Sequence, residues 1–174
     1  MAREALRKKT AAMPGPADVI FEPVPGDVDD VNLKRLFQRW LADLAVGKAP
    51  AGDEILNYPE VAPLVGNLML LEVIRVPPFG YDYLYRVYGA DILARYGIDM
   101  TGRKASEFPS GMFQFFSELY EVAITRRIVI HSLHPPPMSV NVKKWERLIF
   151  PLGDSEVKWL LVVNIAKGKR RNEE

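Results

Sequence analysis

The stretch Tyr85–Arg103, YRVYGADILARYGIDMTGR, sets Gly89, Gly97 and Gly102 around one short amphipathic segment. Glycine lets backbone amides approach an anion at a helix N-terminus, so a phosphate cradle is the first reading to test. The spacing speaks against it. Neither GxGxxG nor GxxxxGK[ST] is present, and Lys104 is not followed by the hydroxyl residue such a loop needs. Each glycine has a turn to make instead: Gly89 takes the chain out of a strand, Gly97 ends the turns of ADILARY, and Gly102 serves the turn after Thr101. The stretch reads as a short helical segment folded over a sheet.

Immediately upstream, LMLLEVIRV (Leu68–Val76) and DYLYRVY (Asp82–Tyr88) are rich in branched and aromatic residues and separated by PPFG, which predicts an antiparallel hairpin. Downstream, SGMFQFFSELYEVAITRR places Met112, Phe115, Phe116, Leu119, Val122 and Ala123 on one helical face, with Ser110 as a cap and Arg126 and Arg127 at the negative end of the dipole. Three strand-like segments follow: IVIHSLH from Ile128, KWERLIFPL from Lys144 and VKWLLVVNIA from Val157. Farther upstream, Leu33, Leu36, Phe37, Trp40, Leu41 and Leu44 form one apolar stripe on a helix that starts after Asp29 and Asp30 and stops at Gly47. Between Lys48 and Gly66, four prolines and glycines predict irregular turns or short helical pieces.

The order is helix, strand, strand, short helix, long helix and three strands, an α+β domain with a mostly antiparallel sheet. Clustered prolines and glycines make residues 1–28 a basic, Pro-rich arm; residues 29–166 are the domain and 167–174 a charged tail. At 174 residues and 48% hydrophobic, the chain fits one globular domain with a sizeable core.

Twenty-three basic and 22 acidic residues leave a formal charge of +1, so no global field favours nucleic acid or an anionic membrane. Cysteine is absent, which removes disulfides, thiolate nucleophiles and cysteinyl-flavin photochemistry. No signal-peptide run or membrane-length apolar segment occurs, and a cytoplasmic location is expected. His131 and His134, three apart on a strand, point to opposite faces and cannot share one metal ion; the expected roles are a hydrogen-bonded sheet residue and a loop-edge residue. The serines lack a GxSxG elbow, and nothing selects a carboxylate pair among Glu72, Glu107, Glu118, Glu121 and Glu146. No catalytic residue and no metal site is assigned.

Two strands carry charge where burial is expected. Arg86 lies among Tyr83, Tyr85 and Tyr88, and Glu146 with Arg147 lies inside WERLIF. An arginine in a half-buried strand needs a carboxylate or phosphate partner, either an internal one or an anionic small molecule clamped by Arg86.

Taken together, YRVYGADILARYGIDMTGRKASEF, the long helix and RLIFPL resemble the PAS domain superfamily, in particular a bacterial subgroup with a "YR..G..I....G...TGR" segment and a later "PL" strand. The matched positions are Tyr85, Arg86, Gly89, Ile92, Gly97, Thr101, Gly102 and Arg103, then Pro151 and Leu152. The resemblance spans residues 33–166. It implies a five-stranded antiparallel sheet with helices over one face, a small pocket between them, and an N-terminal helix outside. It also implies a non-catalytic, free-standing sensory or signalling domain that binds an unidentified small molecule, a signalling protein, or both, and acts as a homodimer, with no role for nucleic acid or membrane. No cofactor is specified, and a haem histidine on the long helix is missing.

The candidate pocket residues are Tyr85, Arg86, Tyr96, Phe115, Phe116, His131, Trp145 and Arg147; the candidate dimer or partner helix presents Leu33, Leu36, Phe37, Trp40 and Leu44. The alternatives are a filled-core interaction module without ligand and a small α+β enzyme.

Overall fold

Alternating branched and aromatic residues build six strands in the computed structural model, which describes residues 17–108, 112–137 and 140–168. They are β1 (Asp18–Phe21), β2 (Leu68–Val76), β3 (Gly80–Tyr88), β4 (Ile130–His134), β5 (Lys144–Leu152) and β6 (Trp159–Lys167). All pairings are antiparallel, and the spatial order is β1-β4-β5-β6-β2-β3. The protein is thus an α+β fold on one open six-stranded sheet. The hairpin β2–β3 turns through residues 77–79, and β4, β5 and β6 form a meander, as their turn residues predict. The chain crosses from the β3 edge to β4 by way of the helices α2 (Ala90–Tyr96) and α3 (Met112–Arg126).

Two expectations change. The sheet has six strands rather than five, because Asp18–Phe21 pairs with Ile130–Leu133 along the free edge of β4. Residues 17–28 therefore belong to the domain and not to an arm: Ala17, Val19 and Val28 are buried, and the strand fits between Pro16 and Pro23 in the sequence. An edge position tolerates such a short strand between proline-rich segments, whereas a central one would not. The Arg3–Lys9 basic cluster, the Ser110 cap and the basic residues 169–171 lie outside the described residues.

Both faces of the sheet are covered. Helix α1 (Val31–Ala45) begins at Asp30, whose carboxylate accepts from the Asn32 and Leu33 N–H groups at 3.0 and 2.9 Å. Its apolar stripe lies on one face, where Phe37 and Trp40 meet the ring of Phe150 edge-on at 6.0 and 5.9 Å. Leu33, Leu36, Leu148, Leu152, Leu161 and Val163 complete this layer with the 3₁₀ turns 53–57 and 59–67. The helix expected to present Leu33, Leu36, Phe37 and Trp40 to a partner buries them against its own sheet instead, and only Leu44, 50% exposed, faces outward. Helices α2 and α3 cover the opposite face over Met69, Leu71, Tyr83, Tyr85, Trp145, Ile149 and Val162.

The opening stretch folds as its glycines require. Gly89 precedes α2 so close to the Gly66 carbonyl that a Cβ would clash, and Gly97 ends α2 in the left-handed conformation at φ 72°.

Candidate functional site

Strand alternation sorts the polar residues of the meander onto two faces. Ser132, Arg147 and Asn164 are cross-strand neighbours on β4, β5 and β6 and face α2 and α3; His131 and Glu146 face α1. All five are buried.

On the α1 face, Glu146 is completely buried and fully engaged. One oxygen accepts from the Asp29 N–H at 2.7 Å and from His131 Nε2 at 3.0 Å; the other accepts from the Asp30 N–H at 3.0 Å and from Lys167 Nζ at 3.1 Å. Burial alone would raise its pKa, but the hydrogen bonds from His131, Asp29, Lys167 and Asp30 outweigh it and bring the value to about 2. With the carboxylate ionised, His131 Nε2 must be the donor. This face is a structural lock holding the entrance to α1 on the sheet, and His131 belongs to it, hydrogen-bonded as expected but on the wrong face for the candidate pocket.

On the other face, Arg147 stands in an enclosure lined by Met69, Tyr85, Tyr88, Ile92, Tyr96, Phe108, Phe116, Tyr120 and Asn164. Its side chain is buried to 1% exposure. Nε donates to Asn164 Oδ1 at 2.7 Å, the Phe116 ring covers the guanidinium with its centroid 4.3 Å away, and among the described residues Nη1 has no hydrogen-bond partner. Among the described residues, none forms an ion pair with Arg147.

Nor can the surrounding rings supply a negative charge. Burial pushes the hydroxyl pKa values of Tyr85, Tyr88, Tyr96 and Tyr120 upward, so all four stay neutral. Nearby, burial and then the Arg147 charge hold His134 well below its usual pKa, as a neutral ring whose Nδ1 meets Ser132 Oγ at 3.1 Å. His134 is fully buried against Phe115 rather than a loop-edge residue. Among the described residues the arginine is an uncompensated cation in an aromatic cage. The cavity beside it measures ≈ 10 Å³ as space open to the centre of a water-sized sphere, room for about one water.

Of the eight candidate pocket residues, Tyr85, Tyr96, Phe116 and Arg147 line this enclosure. Trp145 and Phe115 buttress it: the Trp145 indole stacks on Tyr96 and donates Nε1–H to its hydroxyl at 3.1 Å, while Phe115 packs edge-on against Phe116. Arg86 is elsewhere. Its side chain is 51% exposed on the other side of β3 and pairs with Glu72 on β2, Nε to Oε2 at 2.7 Å. Alternation explains the exchange: Tyr85 points into the pocket, so Arg86 points out. Asn164, Tyr88 and Tyr120 were not among the candidates. An asparagine inside VVNIA, and a tyrosine four residues beyond Phe116 on the same helix, are the signals that mark two of them.

No family model, curated protein or solved structure matches the chain. Among the described residues, no group of three or more histidine, aspartate or glutamate side chains is placed to hold a metal ion, and no helix is long and apolar enough to cross a membrane.

Proposed function

We propose that the chain is a PAS-like, non-catalytic sensory domain that binds a small anion at Arg147 and passes its occupancy to a signalling partner. The observation that carries this reading is the buried Arg147 guanidinium, whose Nη1 has no hydrogen-bond partner and which pairs with no carboxylate among the described residues. A desolvated charge left in that state costs several kcal/mol, and a ligand anion would offset the cost. The strands β2–β6, with α2 and α3 over one face, accord with the architecture that the resemblance implies, and the pocket lies in the layer between them. Arg86, first in view from the sequence, has no part in it.

Native mass spectrometry of gently purified protein, with a thermal-shift screen of anionic metabolites on the wild type and Arg147→Met, tests the proposal. A stabilising anion whose effect disappears in the variant is the expected result; a screen with no response at Arg147 removes the sensing role.

The small cavity favours one second reading, a filled-core PAS module that works only through protein contacts and homodimerises. Because the α1 stripe is buried, such a module would dock by other surfaces. A protein that stays monomeric at high concentration and captures no partner would exclude it.

A further inference from the structure

Resting on the ligand-binding reading above, we infer that the Arg147 site is built for a planar, monovalent oxyanion of a few non-hydrogen atoms: a short-chain monocarboxylate or nitrate. Charge sets the valence. One guanidinium stands uncompensated among the described residues, and the nearby tyrosines and His134 remain neutral, so one negative charge completes the site. A dianion would leave a second charge desolvated with no partner.

Geometry sets the shape. Phe116 covers the guanidinium face and Asn164 takes Nε, so the ligand meets the guanidinium fork in its plane at Nη1, which has no partner among the described residues. A flat oxyanion matches that fork with two parallel hydrogen bonds; a spherical halide cannot. The Tyr96 hydroxyl accepts from Trp145 and so retains its own proton to donate.

Volume and lining set the size. The ≈ 10 Å³ of open space takes about one water, so an anion of a few atoms enters as the half-buried Tyr96 and Phe108 give way, and Met69, Ile92 and Phe108 suit a short apolar tail. A sugar phosphate or tricarboxylate fits neither the charge nor the room.

The experiment titrates the purified full chain with sodium acetate, propionate and nitrate. Chloride, succinate and sulfate serve as controls at matched ionic strength. It reads melting temperature and the Trp145 indole N–H resonance. Acetate, propionate or nitrate should raise the melting temperature saturably by about 3 °C or more and shift that resonance, with succinate and sulfate no better than chloride. Acetate against nitrate tells a metabolite from an inorganic anion. Arg147→Met should abolish the response. Arg147→Lys, which keeps the charge but not the fork, should weaken it about tenfold or more and serves if the methionine variant does not fold. A dianion or a neutral compound acting through Arg147 would overturn the ligand class and leave the sensing role standing. No response at Arg147 to any probe would overturn both.

Discussion

Glu146 and Arg147 are adjacent in β5, buried on opposite faces of the sheet, and opposite in electrostatic condition: four donors satisfy the carboxylate, while the guanidinium has no counter-charge among the described residues. Any displacement of the strand at Arg147 is therefore felt one residue away by the contacts that seat α1.

The carboxylate predicts acid sensitivity. Its pKa falls from 4.5 to about 2 on folding, so its contribution is complete above the unfolded value and is lost as pH drops from about 4.5 through about 2. A shift of this size corresponds to ~3 kcal/mol of stability. Urea unfolding between pH 7 and pH 2 should show that decline in the wild type. Glu146→Gln should start ~3 kcal/mol lower and show a flatter profile.

The guanidinium predicts the opposite response to removal. In buffer free of small carboxylates and nitrate, Arg147→Met should equal the wild type or exceed it by ~1 kcal/mol, because an unpaired buried charge is exchanged for apolar packing. Chemical denaturation measures this directly, and a loss above ~2 kcal/mol would mean that Arg147 is already compensated within the fold.

Arg86 supplies the contrast. Its pair with Glu72 is solvent-exposed, so Arg86→Ala should cost no more than ~1 kcal/mol and leave anion-induced stabilisation unchanged in a thermal-shift assay.

The α1 stripe can be tested in the same way. Trp40→Ala and Phe37→Ala, which empty space against Phe150, should each lose ~3–5 kcal/mol, while Leu44→Ala at the exposed end should stay within ~0.5 kcal/mol. Equal effects at the three positions would contradict the packing of this helix on the sheet.

Two glycines of the opening stretch should differ sharply. Gly97→Ala meets open space and should cost ~1 kcal/mol for its left-handed backbone. Gly89→Ala drives a methyl into the Gly66 carbonyl, so backbone must move, and a loss above ~2 kcal/mol is expected in thermal or urea unfolding.

Much of this architecture was readable from the sequence, since period-2 and period-3.6 patterns report local geometry. The segments Leu68–Val76 and Lys144–Leu152 form strands over their full expected lengths, and ADILARY is the short helix. β1 was hidden because four residues of DVIF between proline-rich segments carry too little pattern; its strand exists through pairing with β4, a contact more than a hundred residues away. The sequence does not separate Arg86 from Arg147 for a related reason. Both stand in aromatic strands, and only the sheet's orientation, set by which face α2 and α3 cover, decides which side chain is inside.

The Glu146 lock also joins places that are far apart in the chain. Its four donors come from the two residues preceding α1, from the middle of β4 and from the end of β6, so the path into the first helix and the path out of the last strand converge on one carboxylate. The start of α1 and the end of β6 are in this sense a single mechanical junction, and whatever loosens Glu146 releases both together.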